Sequence, residues 1–149
     1  MLALEAFMAK RYKNSFSEKM LGCIEKMRKN VILRKDVKRL GSSRQVSRAL
    51  KTLIEDGKLV KLGYGIYAKA ELSEYIDRPI ISVGFTEACI ETLNRLKVDW
   101  ELNQATKDYN SGKSQQVPAR FEVRLKSRFR REISYGSRSL RLEGMIYAK

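Results

Sequence analysis

The chain has no histidine, two cysteines, and 17 acidic residues against 31 basic ones in a length of 149. Without histidine, Cys-His and Ser-His-Asp nucleophile chemistry and imidazole metal sites are excluded. Cys23 and Cys89 stand far apart amid apolar positions. Two thiols make neither a disulfide framework nor a structural zinc site, so both are expected reduced and buried, with no metal and no cofactor. No apolar run approaches the roughly 18 to 20 residues that span a bilayer. The opening MLALEAFMAKRYKN is interrupted by Glu5 and Lys10, unlike the apolar stretch of a signal peptide. A cytoplasmic protein without a membrane partner is expected. Internal repeats and low-complexity tracts are also missing.

What is present is enough apolar material for a core, 43% of residues, in a chain sized for one ordinary domain or two small ones. The formal charge of +14 predicts attraction to a polyanion, with nucleic acid the leading candidate.

Phe16, Met20, Cys23, Ile24 and Met27 recur at three-to-four spacing and predict a helix over residues 15–29. Leu33, Val37 and Leu40 stripe a short second helix that Gly41 stops, with Arg34, Lys35, Lys38 and Arg39 on its other faces. Ser42 and Gln45 form an S-x-x-Q capping box that opens a third helix. Val46, Ala49, Leu50, Leu53 and Ile54 supply its core face, and Asp56-Gly57 ends it. KLVKL and GIYAK read as two strands joined through Gly63-Tyr64-Gly65. The pattern lapses between Ala70 and Pro79, where DRP favours an extended linker, so the domains are expected to be 1–78 and 79–149. Beyond the boundary, IISV reads as a short strand. Phe85, Cys89, Leu93 and Leu96 stripe a helix over 86–97, YNSGKSQQVP is loop, and RFEVRLK, RREISYG and SLRLEG alternate as antiparallel strands, with Phe121, Val123 and Leu125 inward. The expected fold class is α+β: an N-terminal winged helix-turn-helix, then a small domain of a helix and an antiparallel sheet.

In a winged helix-turn-helix the third helix enters the DNA major groove while the hairpin, the wing, lies against phosphate. The third helix turns Arg44, Arg48 and Lys51 away from its apolar face, with Ser43, Gln45 and Ser47 in its early turns, where base edges are reached. Arg and Gln can make bidentate contacts to guanine and adenine. Lys35 and Arg39 on the second helix, and Lys58, Lys61, Lys69 and Tyr64 on the hairpin, complete the expected DNA-binding set. Residues 1–79 carry 18 Lys and Arg against 9 Asp and Glu, a net of +9, which favours double-stranded DNA as the partner. A basic helix face is also compatible with plain solvation or with protein docking.

SRQVSRALKTLIEDGKLVKLGYGIYAK resembles the N-terminal winged-helix domain of the AbiEi family of antitoxins, in which a Q-x-x-R-A-L-x-x-L-x-x-x-G-x-L helix runs into a G-x-G-x-Y wing. TEACIETLNRLKV, YNSGKSQQVPARFEV and RREISYG resemble that family's later helix, T/S-Q-V-P segment and R-K-I-x-x-G strand, so the likeness spans roughly residues 15 to 143. The resemblance implies a repressor of its own operon, with a nucleotidyltransferase-like toxin as partner.

Three enzymatic motifs fail. The GKS of residues 112–114 lacks the glycine of a P-loop, since Lys107 stands in its place. Gly63-Tyr64-Gly65 is followed by Ala68 rather than the third glycine of a dinucleotide fingerprint. Asp99 with Glu122 and Arg124 lacks the lysine of a D…E-x-K nuclease. A non-enzymatic protein is expected. From Arg120 to Arg141 there are eight basic residues against Glu122 and Glu132, a net of +6. Arg124, Lys126, Arg128, Arg130, Arg131 and Arg138 therefore form a second candidate patch, which could extend a DNA footprint, bind RNA, dock an acidic protein such as a toxin, or simply solubilise a strand face.

Overall fold

The structure is a computed structural model that describes residues 15–116 and 122–144. The readings made of residues 1–14, of positions 117–120 and of Phe121 as an inward strand residue lie outside the described residues. The protein is α+β, with helices and largely antiparallel sheets. It divides into two compact units: one holds the described residues up to Lys61 together with Gly65–Val83, the other Leu62–Tyr64 and the residues from Gly84 onward.

In the first unit, α1 (Phe16–Lys26) begins where the Ser15 hydroxyl accepts the Glu18 N–H at 3.1 Å. It buries Met20 and Ile24, one turn apart. The chain then forms β1 (Val31–Leu33), a strand where the start of a helix was expected. Leu33 thus belongs to the sheet rather than to a helical stripe. The second helix, α2 (Arg34–Val37), is a single turn continued by a 3-10 turn, Lys38–Leu40. Its start is held by the Asp36 carboxylate, which accepts the Leu33 N–H at 2.9 Å. Leu40, expected inward, is 39% exposed.

Gly41 follows this segment in an extended conformation, and glycine is required there for space rather than for a left-handed backbone. Its φ is −176°, but a Cβ there would lie 2.6 Å from Phe16 Cε2. α3 (Ser43–Glu55) follows, with the expected capping box: the Gln45 N–H donates to Ser42 Oγ at 3.2 Å, and Gln45 Oε1 accepts the Ser42 N–H at 3.0 Å. Val46, Ala49, Leu50 and Leu53 are buried along one face, against Met20, Ile24, Ile32, Val37, Leu59 and Tyr67.

β2 (Leu59–Gly63) and β3 (Ile66–Glu71) form the hairpin, turning at Tyr64-Gly65. The turn uses a positive φ at Gly65 alone, +69°. The sheet order is β1-β3-β2, with Ile32 opposite Tyr67 and Leu33 opposite Ile66. β4 (Ile80–Ile81) adds to β3, pairing Ala70 with Ile81. This pairing carries the first unit on to Val83 rather than ending it at Arg78.

In the second unit, α4 (Phe85–Arg95) buries Phe85, Cys89 and Leu93 of the expected stripe together with Ala88, while Leu96 stands at its C-cap, half-buried. Its one buried polar residue, Thr92, returns its hydroxyl to the Ala88 carbonyl at 2.7 Å. β5 (Trp100–Leu102) and α5 (Gln104–Asn110) were not anticipated. β6 (Glu122–Leu125) buries Val123 and Leu125 and exposes Arg124, as expected of its alternation. β7 (Ser134–Tyr135) and β8 (Arg138–Ser139) form a small hairpin, and β9 (Arg141–Gly144) returns to the larger sheet. That sheet has order β5-β6-β9 and is not wholly antiparallel: β5 and β6 are antiparallel, β6 and β9 parallel. Parallel neighbours need a long crossover, and the β7–β8 segment lies within it. Among the described residues no helix is long and apolar enough to cross a membrane.

Candidate nucleic-acid interface

The capping box and the buried stripe together fix the rotation of α3. With Val46, Ala49, Leu50 and Leu53 inward, Arg44, Arg48 and Lys51 point outward and are exposed. They stand at i, i+4 and i+7, covering roughly 10 Å of helix axis at 1.5 Å per residue. Among the described residues none of the three side chains has a hydrogen-bond or ion-pair partner. Thr52 at the edge of this face donates its hydroxyl to the Arg48 carbonyl at 2.9 Å.

A residue missing from the expected set stands at the centre of the arrangement. Arg34, at the start of α2, sends its Nη2 to Ser47 Oγ at 2.9 Å and to both the carbonyl oxygen and Oγ of Ser43 at 3.1 Å. Its own N–H donates to the Gly65 carbonyl at 3.0 Å. One residue therefore links the early turns of α3 to the hairpin turn. The β1–β3 pairing makes this possible, since it sets Leu33 against Ile66 and so brings the next residue to Gly65.

These bonds revise several expected roles. Gln45 is exposed, but its amide oxygen is already used by the cap, so the paired donor and acceptor needed to read adenine are not both free. Ser43 and Ser47 accept from Arg34. Lys69 Nζ donates to the Met27 carbonyl, tying the hairpin to the end of α1 instead of adding charge to an outer surface. Lys58 is exposed, but it sits at the base of the hairpin, where its N–H meets the Leu53 carbonyl. The five residues of β2 separate it from Tyr64, roughly 20 Å over six steps at the usual rise. Lys35, Arg39 and Lys61 are exposed, and Tyr64 is 84% exposed at the turn.

The residues of the second basic patch differ in their partners. Lys126 lies 3.6 Å from Glu101, which Lys107 also holds at 3.0 Å. The bond from Lys107, with the charges of Lys107, Lys126 and Arg124, keeps the Glu101 carboxyl below its ordinary range. The Arg138 guanidinium stacks over the Phe85 ring, 5.4 Å from its centre. Arg128, Arg130 and Arg131 are exposed, and the last two, with Arg141, line an open cleft of about 230 Å³. Of the cysteines, Cys23 is partly buried and Cys89 fully so. Burial pushes the Cys89 thiol up to about 12, with Arg138 drawing it slightly back.

No protein-family model matches the chain, and no curated protein is significantly similar to it.

Proposed function

We propose that the protein is a cytoplasmic, non-enzymatic DNA-binding regulator of the winged helix-turn-helix type, a repressor of antitoxin kind acting on its own operon. The observation that carries this reading is the row of unpartnered cations on α3, Arg44, Arg48 and Lys51, next to a hairpin turn that Arg34 links to the same helix. α3 acts as the recognition helix. Arg44 and Arg48 read guanine edges from its early turns, and Lys51 and Lys61 meet phosphate. Arg34 positions the helix against the wing. The motif resemblance supports autoregulation, with a nucleotidyltransferase-like toxin as a further partner.

The test is duplex selection by the purified protein, followed by affinity against salt. Log K should fall with log[salt] by about 0.9 per phosphate contact. On the selected site, Arg44→Ala or Arg48→Ala should cost roughly 1 to 3 kcal/mol and relax specificity, whereas Lys61→Ala should weaken all duplexes alike. Salt-independent binding, or equal affinity for double-stranded RNA, whose deep major groove admits no helix, would end this reading. A protein-interaction role is the second reading, favoured by Leu72, Tyr75 and Ile76, which stand 70%, 92% and 49% exposed between β3 and β4.

A further inference from the structure

We infer that the cleft between residues 130–132 and 139–142 is a binding site for a phosphoryl group, separate from α3. Arg130, Arg131 and Glu132 line one side, and Ser139, Leu140, Arg141 and Leu142 the other. Three guanidinium groups against one carboxylate leave a net charge of +2 on these walls. Among the described residues, none of the four charged side chains has an ion pair or hydrogen bond. Like charges lining one opening repel each other, and an anion between them relieves that repulsion and can accept charge-assisted, bidentate bonds.

The backbone that carries the arginines is anchored by its neighbours: Phe129 and Ile133 are buried on either side of Arg130 and Arg131, and Leu140 and Leu142 on either side of Arg141. The two walls are joined by the Leu140 N–H, which donates to the Ile133 carbonyl at 2.9 Å. The Ser139 hydroxyl adds a neutral donor of the kind that phosphate oxygens accept.

A cleft of about 230 Å³ has ample room for a phosphoryl group. The phosphate can belong to a small molecule or to a nucleic-acid strand passing across the open cleft. The inference does not depend on duplex binding by α3.

The experiment is an amide NMR titration of the full chain with sodium phosphate at constant ionic strength, with chloride as the control. Saturable shifts confined to residues 130–132 and 139–142 are expected. Arg131→Gln and Arg141→Gln should each weaken binding about tenfold, as loss of a charged hydrogen bond predicts. Arg141→Lys, which keeps the charge without the fork, should fall between, and Arg44→Ala should titrate like the parent. Shifts equal to those in chloride, or variants that titrate like the parent, overturn the proposal. Competition then separates the sources. Displacement by 5′-phosphorylated but not 5′-hydroxyl oligothymidylate assigns a terminal phosphate, equal displacement an internal phosphodiester, and displacement by ribose 5-phosphate alone a small metabolite.

Discussion

The guanidinium of Arg34 donates to the hydroxyl of Ser47 at 2.9 Å, bridging thirteen positions of sequence. Because the same side chain also reaches the Ser43 carbonyl and hydroxyl, it braces the exposed side of α3 where no apolar packing does. Arg34→Ala should lower stability by about 1 kcal/mol, the net value of hydrogen bonds that water can partly replace. Arg34→Lys should restore little of this, because an ammonium lacks the planar fork. Urea unfolding of both variants checks this, and a full rescue by Lys would show that charge alone is at work.

Two glycines in the first unit should respond oppositely to the same change. A Cβ at Gly41 would meet Phe16 Cε2 at 2.6 Å and Gln45 Oε1 at 2.7 Å, so Gly41→Ala should destabilise by about 1 to 3 kcal/mol. In the middle of α1, a Cβ at Gly22 meets nothing within 4 Å, and Gly22→Ala should gain about 0.5 to 1 kcal/mol from helix propensity. Thermal melts of the pair, run together, test both signs.

Beyond the end of α4, Lys97 adopts φ +57°, and the Val98 N–H closes back on the Leu93 carbonyl at 3.0 Å. This left-handed position is one that glycine fills without steric cost. Lys97→Gly should therefore raise stability by up to about 1 kcal/mol, measurable as a shift in urea midpoint with unchanged slope. A loss instead would mean that the lysine side chain contributes more than the backbone strain removes.

Cys89 should make the fold sensitive to alkali. Its thiol is raised from 9.0 to about 12 in the folded chain, so the unfolded chain loses this proton first as pH rises. The associated stability is whole below about pH 9 and is lost progressively towards about 12. Cys89→Ala should show a shallower decline over that window in urea unfolding. In the native protein at neutral pH, a thiol reagent should modify Cys23 well before Cys89.

α3 was legible because three local signals agree on it: a capping box, a complete apolar stripe and a terminating Asp-Gly. α5 was not, because none of its seven residues is buried and it has no stripe to read. The spacing puts Leu33 in the stripe of a short helix because three apolar residues in a row carry no period of their own, and only the partner strand makes Val31–Leu33 a strand. Alternation along β6 showed which residues face inward but holds no information about direction, hence the unforeseen parallel pairing with β9. For the candidate site, the outward cations of α3 followed from helical geometry. The role of Arg34 did not, since it depends on partners nine and thirteen residues away that only the folded chain brings near.

β3 is bonded to β1 and β2 along its flanks, and its last two residues pair with β4. A strand so enclosed has no fraying edge through which its amides can meet solvent. Exchange with deuterium across Ile66–Glu71 should therefore report the opening of the whole first unit, whereas the two-residue β7 and β8 exchange by local breathing. The hairpin and α3, which Arg34 joins, should accordingly lose their protection together.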